Sequence, residues 1–116
     1  MKALFIALAF LIIYCDESHE DEAQKAEKTA LDTMRADIKK LAEASVCSAE
    51  ETCYSVGVGS KPCGGFWEYV VYSSSIDVAG LLTKVETLNE LEAAYNKRYM
   101  IQSDCYVVIP PTRIES

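Results

Sequence analysis

Apolar positions follow three rhythms along this chain. Residues 3–13, ALFIALAFLII, form an unbroken apolar run. Further on, Leu31, Met34, Ile38 and Leu41 recur at steps of three and four, the single stripe of an amphipathic helix. Ala, Lys and Glu dominate residues 23–44, which hold no Gly or Pro, and Arg35, Asp37, Lys39 and Lys40 fall off the stripe. This predicts a helix over 23–44.

Residues 53–58, CYSVGV, change to a period of two. Tyr54, Val56 and Val58 share one face, and Cys53, Ser55 and Gly57 share the other. This is the pattern of a half-buried strand. GSKPCGG, 59–65, carries turn chemistry in its Gly and Pro residues. The next run, FWEYVVYS at 66–73, is aromatic and β-branched. Trp67, Tyr69 and Val71 alternate with Phe66, Val70 and Tyr72, so both faces are largely apolar, as in a central strand. Ser75 or Asp77 can cap a second helix ending near Arg98. Its stripe is Val78, Leu81, Leu82, Val85, Leu88, Leu91 and Tyr95, and Lys97 and Arg98 suit its negative end. CYVVI at 105–109 reads as a last strand, stopped by Pro110 and Pro111.

The expected order is therefore α-β-β-α-β: an α+β domain with two helices packed on a small three-stranded sheet. Strands 53–58 and 66–73 form a hairpin. Strand 105–109 returns parallel to 66–73 after the crossover helix.

The opening run changes the picture of the whole chain. Met1 and Lys2 precede the eleven apolar residues 3–13. That is the length of a secretory signal's apolar region, and about half of what a spanning helix needs, about 20 residues. No clean pair of small residues marks an ordinary cleavage site between Ile13 and Glu22. Cys15 follows the run directly instead. This resembles the signal of bacterial lipoproteins, in which the thiol is lipidated and the chain is cut before it, although Tyr14 stands where that signal has a small residue. The resemblance implies a signal peptide over 1–14, a lipidated Cys15, an acidic stretch at 15–22 as a solvated tether, and a single domain over 23–116. An acidic run behind the Cys resembles the surface-export cue of Bacteroidota lipoproteins.

Charge limits the partners. Without residues 1–14 the chain loses Lys2 and no acid, leaving 10 basic against 18 acidic residues, a net of −8. That argues against nucleic acid, which needs basic patches, and against adhesion of the protein surface to an anionic bilayer. Membrane contact falls to a lipid on Cys15, where two acyl-chain signals anchor better than one. His19, within DESHEDE at 16–22, is the only histidine. Without a second imidazole the stretch has no fixed metal geometry, and no metal or other cofactor is expected.

Five cysteines are an odd number for an exported chain. With Cys15 given to lipid, Cys47, Cys53, Cys63 and Cys105 remain. Four cysteines form two bridges in one of three connectivities. The expected topology chooses one. Cys63 and Cys105 precede or begin two parallel strands and meet at one end of the sheet. Cys53 begins the opposite strand, near the exit of the first helix, and pairs with Cys47.

No catalytic constellation is visible. The one His lies in the tether and the domain's thiols are committed to bridges, so the chain is read as a non-enzyme. Two residues keep alternatives open. Lys61, beside Pro62 and Cys63, occupies the tip of a braced loop, as in protease inhibitors that gain from preorganisation; an ordinary tight turn explains the same residues. Glu68 lies between aromatics, where a partly buried acid serves a small hydrolase as general acid or, more commonly, pairs with a Lys. The first reading is a lipid-anchored binding module of the bacterial envelope, at the outer membrane or cell surface. It has a protein or other envelope component as partner and uses Lys61, Pro62, Trp67, Tyr69 and Tyr72. Grouping of Tyr54, Tyr69, Tyr72, Tyr99 and Tyr106 into one exposed patch would favour it.

Cys47, Cys53, GSKPCGGFWEYVVYS at 59–73, LNELEAAYN at 88–96, SDC at 103–105 and the paired prolines at 110–111 together resemble small exported lipoproteins of Bacteroidota. The resemblance covers roughly residues 46–111. It implies an extracytoplasmic, disulfide-bonded fold and assigns no activity.

Overall fold

A computed structural model describes residues 17–48 and 52–111. The expected cleavage site and lipidated Cys15 lie outside the described residues. The order is α1 (Glu17–Glu43), β1 (Cys53–Val58), β2 (Glu68–Ser73) and α2 (Val78–Arg98).

α1 begins six residues before the expected start, so the acidic stretch from Glu17 onward continues into the helix. Its apolar stripe is the inner face: Leu31, Ile38 and Ala42 are buried, and Met34 and Leu41 pack against them. α2 starts where Asp77 caps it, accepting the Gly80 N–H at 3.1 Å. Leu81, Val85, Leu88 and Tyr95 are its buried face. Leu82 and Leu91, read as part of that stripe, are exposed; they sit one step to either side of a buried face that is narrower than the sequence stripe. The helices run antiparallel, since Asp37 pairs with Lys84 near the start of α2 and Glu27 with Arg98 at its end.

β1 and β2 form an antiparallel hairpin with Val58 opposite Glu68, Val56 opposite Val70 and Tyr54 opposite Tyr72. Val58, Val70 and Tyr72 join the helices' apolar residues in one core. On the other face, Gly57 lies opposite Tyr69. The molecule is thus an α+β domain with helices covering one face of a two-stranded sheet.

Three expectations about the strands need correction. The sheet of the described residues has two strands, and residues 101–111 take no regular structure, so 105–109 is not a third strand. β-branched residues favour an extended chain, but a strand also needs an edge to pair with. Here the segment is fastened to the hairpin loop through Cys105 and Lys61. Among the described residues β2 is accordingly an edge strand, not a central one. Third, β2 starts at Glu68, and the alternation expected through Phe66 and Trp67 does not hold. Phe66 lies against Gly57, where an added Cβ would stand 2.2 Å from the ring, and meets Tyr69 edge-on at 5.7 Å. Trp67 instead lines a hollow with Arg35, Glu92 and Tyr95. Because these two residues precede the ladder, the strand's period does not govern them.

Both disulfides have the expected pairing, Cys47–Cys53 and Cys63–Cys105, with Cα atoms 5.7 and 5.3 Å apart. The second bridge forms without the parallel strand from which it was argued: Cys105 needs only to reach the loop, not to extend the sheet.

Candidate functional site

Side chains of α2 fasten the hairpin loop. Asn89, Glu92 and Asn96 recur at steps of three and four, so they share one side of the helix. Asn89 Oδ1 accepts the Gly59 N–H at 2.6 Å, and its Nδ2 donates to the Gly57 carbonyl at 3.2 Å. Glu92 Oε1 accepts the Ser60 N–H at 2.7 Å. Asn96 Nδ2 donates to the Ser60 carbonyl at 2.7 Å. The Ser60 hydroxyl donates to the Asn89 carbonyl at 2.6 Å. Gly59 allows this approach: it is buried with φ of 83°, and a Cβ would meet Arg35, Trp67 and Glu92 at about 3 Å.

Arg35 of α1 completes the cluster. Its guanidinium lies 2.5 Å from Glu92 Oε2, so one buried carboxylate joins both helices and the loop. The sequence reading put Arg35 off the stripe and passed over Glu92, Asn89 and Asn96. A signal existed: Glu92 falls four residues after Leu88 and three before Tyr95, so an acid occupies an apolar stripe. An acid there needs partners.

Lys61 is not an exposed tip, which corrects the expectation. It is buried, with 6% of its surface exposed. Its Nζ donates to Asp104 Oδ1 at 2.8 Å and to the Tyr106 carbonyl at 2.6 Å, and lies 5.1 Å from the Trp67 ring centre. The ammonium is spent inside the molecule, and the loop does not offer it to a protease. Asp104 is held below its ordinary pKa, chiefly by the Lys61 hydrogen bond, then by the Tyr106 N–H and the Lys61 charge.

The remaining candidates do not converge. Pro62 is half-buried beside Asn96 and Ile101. Tyr72 is in the core beneath the half-exposed Tyr54, ring centres 5.7 Å apart. Tyr69 lies on the outer face with Phe66, and Tyr99 packs on Tyr95 at the end of α2. The tyrosines therefore form no single patch. Two exposed aromatic residues instead flank Lys61 at the loop end. Trp67 is 41% exposed and Tyr106 74%, and Lys61 contacts both residues. Phe66, Val107 and Ile109 are exposed as well.

Glu68 pairs with Lys39 at 3.0 Å through Oε2. Its other oxygen, Oε1, is buried and has no hydrogen-bond partner. No described helix is long and apolar enough to cross a membrane. No family model matches the chain, and neither the curated proteins nor the solved structures give a match.

Proposed function

We propose that this chain is a lipid-anchored, non-enzymatic binding module of the bacterial envelope, facing the periplasm or the cell surface. The cysteine count carries the reading. Two bridges take Cys47, Cys53, Cys63 and Cys105, and Cys15 is the one left over, directly behind an apolar run of signal length. A cysteine left over by that count, at that position, suits thioether lipidation.

The binding role rests on the loop end. Trp67, Tyr106 and Val107 are exposed on a platform fixed by Cys63–Cys105 and by the side chains of Asn89, Glu92 and Asn96. Exposed aromatics on a rigid support bind at low entropic cost. Replacing Cys15 by Ala and fractionating a bacterial host tests the anchor. The variant is expected to leave the membrane fraction, and its full retention there would contradict lipid anchoring.

A further inference from the structure

Residues 102–111 lie outside the packed core. The core and the residues packed against it reach Ile101 and, among the described residues, include none after it. The Ile101 N–H donates to the Asn96 carbonyl at 2.9 Å. Past it, no backbone–backbone hydrogen bond among the described residues joins the segment to the body. The segment is held instead by the Cys63–Cys105 bridge and by Lys61, whose ammonium donates to Asp104 Oδ1 and to the Tyr106 carbonyl.

The second tie depends on the first. The Asp104 side chain is exposed, so water competes for its half of the ion pair, and such a pair holds little by itself. Cys105 stands between Asp104 and Tyr106 in the chain, so the bridge is what sets both acceptors over Lys61. The hairpin loop has its own support, because Asn89, Glu92 and Asn96 hold Gly59 and Ser60 from α2. The segment can therefore leave while core and loop stay in place.

The two bridges differ in access. Cys63 and Cys105 are both exposed, whereas Cys47 and Cys53 are half-buried. Thiol–disulfide exchange requires a thiolate to reach a bridge sulfur, and exposed bridges are the labile ones.

We infer that residues 102–111 are a strap latched by Cys63–Cys105, and that a dithiol reductant opens this latch by thiol–disulfide exchange, which releases the strap and bares the Lys61 ammonium. One thiolate of the reductant attacks a sulfur of the bridge, forms a mixed disulfide and expels the other cysteine as a thiolate. The reductant's second thiolate then displaces the remaining cysteine. The reductant leaves as a disulfide, and Cys63 and Cys105 end as two thiols. Release takes Tyr106 from the loop end and turns Lys61 from a buried cation into an exposed one. The effect on a partner rests on reading the loop end as a binding surface; the release itself is measured without a ligand.

The test titrates the purified protein with dithiothreitol, then alkylates free thiols and acetylates accessible amines, with both modifications located by peptide mass mapping. Cys63 and Cys105 are expected to become alkylated at a dithiothreitol concentration about tenfold below that needed for Cys47 and Cys53. Acetylation of Lys61 is expected to rise about tenfold over the same range, while that of Lys84, already half-exposed, stays constant. Helical circular dichroism is expected to persist. Cys63→Ser with Cys105→Ser is expected to give the high Lys61 acetylation without reductant. Reduction of Cys47–Cys53 first or together overturns the latch. Unchanged Lys61 acetylation after Cys63–Cys105 opens overturns the strap. Loss of helix in step with that opening also overturns it, since the bridge would then hold the whole fold.

Discussion

Arg35 and Glu92 join α1 to α2 through a carboxylate that also accepts the Ser60 N–H. One side chain therefore locks three segments distant in sequence. Glu92 is 6% exposed, whereas the Arg35 side chain is 21% exposed, so water offsets part of the loss when the pair is broken. Glu92→Ala is expected to cost about 2 kcal/mol in urea unfolding, and Glu92→Gln, which keeps an acceptor for Ser60, less. Equal stability of Glu92→Ala and the parent would show that the loop is held without this cluster.

Asp104 gives the fold a dependence on pH with a definite sign. Lys61 holds its carboxyl below the ordinary value of 3.8. A depressed carboxylate pKa contributes stability above the unfolded-state value, and that contribution is lost as pH falls through the folded-state value. Asp104→Asn is expected to lower stability at neutral pH, and the gap from the parent to close below about pH 4. A constant gap from pH 7 to pH 2 would place the effect elsewhere.

Gly57 has its place on the outer face because Phe66 occupies the space a side chain would take. Gly57→Ala is expected to destabilise by about 1–2 kcal/mol through this clash. Adding Phe66→Ala should recover part of that loss, since contacting residues couple. Strict additivity of the two changes would contradict the contact.

The two disulfides differ in the loops they close, with sequence separations of 6 and 42. Replacing Cys63 and Cys105 by Ala is expected to cost about 4 kcal/mol in the chain-entropy model, and replacing Cys47 and Cys53 about 2.4 kcal/mol. Thermal unfolding of the two double variants checks the order. A larger loss from the shorter loop would contradict it.

Residues whose roles are local or periodic were legible in the sequence. Leu31 and Ile38, or Leu81, Val85 and Leu88, announce helix faces by spacing alone. Gly64 and Gly65, with φ of 104° and 83°, sit in the turn their type suggests. The cysteine pairing agrees with the expectation, although the parallel strand that placed Cys105 beside Cys63 does not form. What escaped was set by distant partners. Nothing near Lys61 in sequence says that Asp104 and Tyr106 will bury its ammonium, so a turn lysine read as a tip. Nothing within CYVVI says whether an edge is free to receive it. Glu92 was the exception, readable from its place on an apolar stripe but hidden among the many acids of this chain.

The anchor is the central claim, and intact mass tests it most directly. The protein is purified from the membrane fraction of a bacterial host and weighed before and after reduction. The predicted result is the mass of residues 15–116 plus a diacylglyceryl and an acyl group, rising by about four hydrogens on reduction as two bridges open. An unlipidated mass with a fifth thiol at Cys15 would contradict the lipid anchor and return the envelope assignment to an open question.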